Sequence, residues 1–145
     1  MKRYESKQHQ LLLPAEQIFT LISNFENLTP AVADKVEEWS ATPISCSFKA
    51  KGFNVKLRFD DVVAPKHVKI VPAEDSGVPM DFAFWIQLHS VSPYDTRFRL
   101  VLDVELNTMM KMMVGGKIEK GLNQAAEGIA AAFAQAQAQA SYTHQ

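Results

Sequence analysis

The hydrophobic period of this chain changes once, near residue 107, and that change limits the folds open to it. From Val36 to Asn107 apolar residues recur at every second position, in short runs divided by turn residues. From 108 to 140 they recur at helical spacing. Period two marks strands with one buried face; a period of about 3.6 marks a helix with one buried stripe. Six strand-length runs followed by one long amphipathic helix predict an antiparallel sheet whose apolar face the helix covers.

The runs can be read individually. Trp39 and Ala41 share a face, and Pro43 closes their strand. Ile44, Cys46 and Phe48 alternate with Ser45, Ser47 and Lys49. Phe53, Val55, Leu57 and Phe59 alternate with Asn54, Lys56, Arg58 and Asp60, which extends the apolar row in phase to Asp61. Val68 and Ile70 follow Pro65. Phe82, Phe84, Ile86 and Leu88 come after the turn Asp75-Ser76-Gly77. Phe98, Leu100, Leu102, Val104 and Leu106 form the longest row. In the helix, Met110, Val114, Ile118, Leu122, Ala125, Ile129 and Phe133 line the stripe. The Ala-Gln tail after Phe133 reads as its fraying end, and residues 141–145 as loose.

Ahead of the sheet runs, residues 3–13 read as one strand that Pro14 ends. Ala15, Ile18, Leu21, Ile22 and Phe25 lie at helical spacing, with Pro14 suited to the first helical position. Thr29-Pro30 reads as the N-cap and first residue of a second short helix. The expectation is a single α+β domain over 1–145. A seven-stranded curved antiparallel sheet wraps around a long C-terminal helix, with two short helices between strands 1 and 2. A domain of this length hides roughly 68–70% of the surface its unfolded chain exposes, so one sizeable core is available.

Charge and targeting signals exclude several roles. Fifteen Lys and Arg against sixteen Asp and Glu give a net charge of −1, without the basic surplus of a dedicated nucleic-acid binder. No apolar signal-peptide core follows Met1-Lys2-Arg3, and no run approaches the length of a transmembrane helix. A cytoplasmic protein without integral membrane association is expected.

Catalytic motifs are absent: no Gly-rich phosphate loop, no metalloprotease His pair, no paired Cys, no nucleophile elbow. No metal or cofactor is expected. Cys46 is in phase with Ile44 and Phe48 and reads as a small buried hydrophobe rather than a nucleophile. His67 and His89 fall opposite the apolar rows and read as solvated. Asp60 and Asp61, as strand neighbours, point to opposite faces unless a bulge intervenes. Asp103 and Glu105 share the polar face with Arg97 and Arg99 and read as surface pairing.

Pro14-Ala15-Glu16-Gln17-Ile18-Phe19, followed by Leu21-Ile22-Ser23-Asn24-Phe25-Glu26-Asn27-Leu28, resembles the first-helix signature of the SRPBCC or START-like superfamily. That group includes polyketide cyclase/dehydrase-like proteins and relatives of the birch-pollen allergen. The resemblance implies a helix-grip fold with an interior cavity for apolar ligands. Its members range from lipid carriers to aromatases, so it implies no single reaction.

On that implication the inward rows are the expected cavity wall: Trp39, Cys46, Phe48, Phe53, Val55, Leu57, Phe59, Phe82, Phe84, Ile86, Phe98, Leu100 and Leu102 from the sheet, with Met110, Val114 and Ile118 from the helix. Four methionines in residues 109–113 exceed what one stripe can bury, so some must point elsewhere. Met109, Met113, Gly115 and Gly116 are the expected mouth, flanked by Lys111, Lys117 and Lys120. The glycine pair reads either as a hinge or as a close approach to a neighbour.

The expected role is non-enzymatic binding of a hydrophobic small molecule or lipid. One alternative is a cyclase or dehydrase that orients its substrate with Gln8, Gln10, Ser90 or Asp61. Another is an interaction module with a closed core that presents Trp85 outward.

Overall fold

The structure, a computed structural model, describes residues 1–50, 52–78 and 80–143; of residues 114, 115 and 135–143 it describes the backbone alone. Strands β1 (Lys2–Glu5) and β2 (His9–Leu11) precede α1 (Ala15–Ile22), a 3-10 turn (Phe25–Leu28) and α2 (Thr29–Val32). Six strands follow: β3 (Glu37–Ala41), β4 (Ser45–Ala50), β5 (Phe53–Val63), β6 (His67–Pro72), β7 (Phe82–Ser92) and β8 (Asp95–Val104). The long helix α3 (Thr108–Thr143) ends the chain's described part. Consecutive strands pair antiparallel from β3 to β8, and β1 and β2 both return to β8. The result is an α+β helix-grip fold, a curved antiparallel sheet with one long C-terminal helix.

The first strand differs from the single run expected over 3–13. Its two halves pair with different parts of β8, Lys2–Glu5 with Val101–Val104 and His9–Leu11 with Thr96–Phe98. Ser6 makes the break. Its N–H donates to the Leu100 carbonyl at 2.9 Å, and its Oγ accepts from the Leu100 N–H at 2.9 Å while donating to the Lys7 carbonyl. The Lys7 N–H, turned out of the ladder, donates to Asn123 Oδ1 of α3 at 2.8 Å. The kink therefore ties the sheet edge to the long helix.

Register fixes the inward face. Leu102 opposes Phe84, Phe84 opposes Ile70, and Ile70 opposes Phe59. Directly paired residues share a face, so the rows of β5 and β8 are buried on one side, as the alternation predicts. A bulge in β5 between Phe59 and Asp61 then resets the phase. Asp61 is consequently not in the apolar row, where the sequence placed it. Both adjacent carboxylates are on the outer face, Asp60 3.2 Å from Lys69 Nζ and Asp61 3.0 Å from His67 Nε2.

The core has a principal and a satellite part. Ile18 and Ile22 of α1, Val68, Ile86, Phe98 and Leu100 of the sheet, and Leu122, Ala126, Ile129 and Phe133 of α3 pack together. Phe25, Cys46 and Ile70 form the satellite, with Phe25 stacked on Phe59 at 4.2 Å between ring centroids. Asn24 caps the 3-10 turn through its Oδ1, which accepts from the Glu26 N–H. The Thr29 hydroxyl, expected as a cap, instead accepts from Trp39 Nε1 at 2.9 Å. That bond pins the short helices to β3.

Ser6→Ala removes the acceptor of the buried Leu100 N–H on β8. The expected cost is about 1–3 kcal/mol of stability, read as a lower urea midpoint at unchanged m-value. A variant as stable as the parent would show that the kink is held by packing alone.

Candidate functional site

The inward face is unevenly buried. Val68, Ile86, Phe98 and Leu100 lie under α1 and the C-terminal part of α3, and each is at most 1% exposed. Toward the other end of the sheet, Leu57, Phe59, Phe82, Phe84 and Leu102 share the same face yet are only half-buried. Met110 and Ile118, the α3 side chains nearest that end, are also half-buried. These half-buried inward side chains form the candidate ligand-facing wall, with Leu57, Phe59 and Phe84 packed on the satellite core and Phe82, Leu102, Met110 and Ile118 on the principal core.

Not all expected wall residues meet there. Val55 is buried opposite Phe48, and Trp39 and Phe48 stack at 6.0 Å beside Cys46 in the satellite core. Phe53 is 46% exposed at the start of β5, where a strand end leaves nothing to cover it; it is at the rim rather than in the wall. The side chain of Val114 lies outside the described residues. Lys2, which sequence reasoning left before the first strand, opposes Val104 on the inward side, and its Nζ is 5.8 Å from the Tyr4 ring. The alternation of Lys2 with buried Tyr4 was its signal.

Ionisable groups within the sheet's inward rows are few. Cys46 is buried opposite Leu57, and desolvation pushes its thiol up to about 12, against a weak opposing pull from the Leu57 backbone. His9 stacks on Phe98 at 5.4 Å, at the sealed end. The polar groups considered for catalysis are elsewhere. Gln8 and Ser90 are exposed, Gln10 donates to Asp95, and Asp61 bonds His67 on the outer face. No group of three or more His, Cys, Asp or Glu converges as metal ligands among the described residues.

Trp85, expected as an exposed outer aromatic, is half-buried instead. Lys69 lies over its ring at 5.1 Å and His67 meets it edge-on at 5.3 Å. Its Nε1 is buried without a partner among the described residues. Beneath this layer Val101, also outward by register, is fully buried.

At the helix start, Met109, Met112 and Met113 are exposed and Met110 turns inward. A methyl group added at Gly116 meets no atom within 4 Å. Close approach to a neighbour therefore does not explain that glycine. The surroundings of Gly115 lie outside the described residues.

Concavities are formed elsewhere on the molecule. One of about 210 Å³ lies between the short helices and α3, lined by Leu21, Leu28, Ala31, Ile129 and Phe133. Another, about 460 Å³, is lined by Lys66, His67, His89, Arg97 and Arg99. No helix among the described residues is long and apolar enough to cross a membrane.

No protein-family profile matches the chain, and no curated protein matches it in sequence. Solved structures do match its fold. Norcoclaurine synthase from Thalictrum flavum is 14% identical over 89% of this chain and 84% of its own, with a TM-score of 0.68. The same enzyme in complex with dopamine and hydroxybenzaldehyde gives 13% identity, 92% and 87% coverage and a TM-score of 0.71. A protein from Thermus thermophilus is 13% identical, with 93% and 99% coverage and a TM-score of 0.71. At these identities the likeness establishes the helix-grip fold and nothing about activity.

Two measurements test the site's local chemistry. With its thiol raised to about 12, Cys46 at pH 8 is ionised in only about one molecule in 10,000. A water-soluble disulfide reagent should label the native protein at least about 100-fold more slowly than the denatured one; fast native labelling would place the thiol at the surface. Gly116→Ala fills open space on a helix and should raise stability by about 0.5–1 kcal/mol. A lowered melting temperature would reveal a neighbour that must be displaced.

Proposed function

We propose that this protein is a non-enzymatic binder of an apolar small molecule or lipid, held between the sheet and the first half of α3. One observation carries the reading: inward-facing Leu57, Phe59, Phe82, Phe84, Leu102 and Met110 retain accessible surface, while Val68, Ile86, Phe98 and Leu100 on the same face are fully buried. An apolar wall left wet costs free energy, and a ligand that covers it regains roughly 25 cal/mol per Å² before ordering costs. Aromatic rings in that wall suit a flat or acyl ligand. The surrounding chemistry supports binding over turnover. The Cys46 thiol is pushed up by burial, and Gln10 and Asp61, considered for orienting a substrate, sit on other surfaces. Norcoclaurine synthase shares the fold and is named as an enzyme, so the distinction rests on these residues and not on the fold.

The test has two arms. Native mass spectrometry of freshly purified protein should reveal a bound small molecule that organic extraction removes. Leu102→Trp, which fills half-buried space opposite Phe84, should weaken binding of 1-anilinonaphthalene-8-sulfonate at least tenfold with little change in melting temperature. A protein that arrives empty and binds no probe would favour the closed interaction module.

A further inference from the structure

The solvent side of α3's first turns carries long apolar side chains that the protein itself does not use. Met109 is 71% exposed, Met112 84% and Met113 67%. At about 100° per residue, Met109, Met113, Gly116 and Lys120 fall on one stripe, with Met112 and Lys117 on its two flanks. Ile118 and Leu122 fall on the opposite side, which packs on the core, and Met110 lies at the boundary beside Lys117. Lys111, Lys117 and Lys120 are exposed, and Glu119 is the only acid from 108 to 120. Phe53, 46% exposed at the start of β5, is at the same end of the sheet.

Isolated exposed apolar residues need no explanation, but three adjacent ones on a projecting helix start mark an interaction surface. Charge decides between occupants. A symmetric dimer through this patch would set Lys117 and Lys120 against their own copies, because a two-fold interface pairs a surface with itself. An anionic lipid surface supplies the missing counter-charges within a Debye length. Pliable methionine side chains enter the headgroup–acyl boundary while lysines at the same level meet phosphates. We propose that the start of α3, through Met109, Met112, Met113, Lys117 and Lys120, docks this protein peripherally on anionic membranes. The patch faces away from the sheet, so docking stands apart from the binding reading above.

Co-sedimentation with sucrose-loaded vesicles tests it. The full chain should bind vesicles of phosphatidylcholine with 25% phosphatidylserine, and at least tenfold less to pure phosphatidylcholine. Raising salt from 50 to 300 mM should weaken the bound fraction severalfold. Met112→Ser with Met113→Ser should lower vesicle affinity at least tenfold, and Lys117→Glu with Lys120→Glu should abolish binding. Both double variants change exposed side chains, and unchanged melting temperatures confirm that the fold persists. No binding to anionic vesicles, or binding that neither variant alters, overturns the proposal. So does a concentration-dependent dimer in sedimentation velocity that Met112→Ser with Met113→Ser dissolves, which assigns the patch to a second copy of the chain.

Discussion

Leu100 is the point at which sheet, first strand and both main helices meet, and the rest of the structure depends on how it is held. Its side chain is fully buried opposite Ile86. Its N–H and carbonyl are both taken by Ser6. A buried backbone pair with no partner is expensive, so the kink at Ser6 and the position of β8 are fixed together. The next residue in the chain, Lys7, then reaches Asn123 on α3. One polar residue thus sets the distance between sheet and helix at the sealed end, and packing of Ile18, Ile22, Leu122 and Phe133 fills the space that distance leaves.

Sealing one end has a geometric consequence at the other. A straight helix laid across a curved sheet can be in close contact along only part of its length. That contact falls where Leu122, Ala126, Ile129 and Phe133 meet α1 and β8. Toward the N-terminus of α3, Phe82, Phe84 and Leu102 stay half-buried, although Ile70 and Val104 among them are buried. Phe25, stacked on Phe59, closes off the satellite core around Cys46 and Ile70.

Most of this architecture was legible because burial on one face leaves a periodic mark. The six later strands, the two short helices and α3 all follow from spacing, and the shared face of Leu57, Phe59, Leu100 and Leu102 follows from alternation. What escaped were features a single side chain decides. Ser6 interrupts a strand without changing polarity enough to show. The bulge at Asp60 adds one residue to one strand, and the sequence carries no period for an addition of one. It moved Asp61 from the apolar row to a bond with His67. Phe53 fits the alternation but stands at a strand end, where phase no longer implies cover. The uneven burial along these rows was likewise invisible, since they are apolar throughout.

Trp85 shows how a residue can be placed on the correct face and still have its environment misjudged. Its outward position follows from alternation with Phe84 and Ile86. Its burial follows from neighbours on the adjoining strands: Lys69 over the ring, His67 at its edge and Val101 beneath. Long basic side chains cover apolar surface with their stems while their charges remain in water, and Asp60 holds Lys69 in that position from the bulge. Lys69 and Arg58 keep the Asp60 carboxyl below the usual carboxylate range. The bulge that removed Asp61 from the interior thus also supplies the counter-charge that keeps the outer aromatic covered. At the start of α3, by contrast, Met109, Met112 and Met113 meet solvent with no such cover.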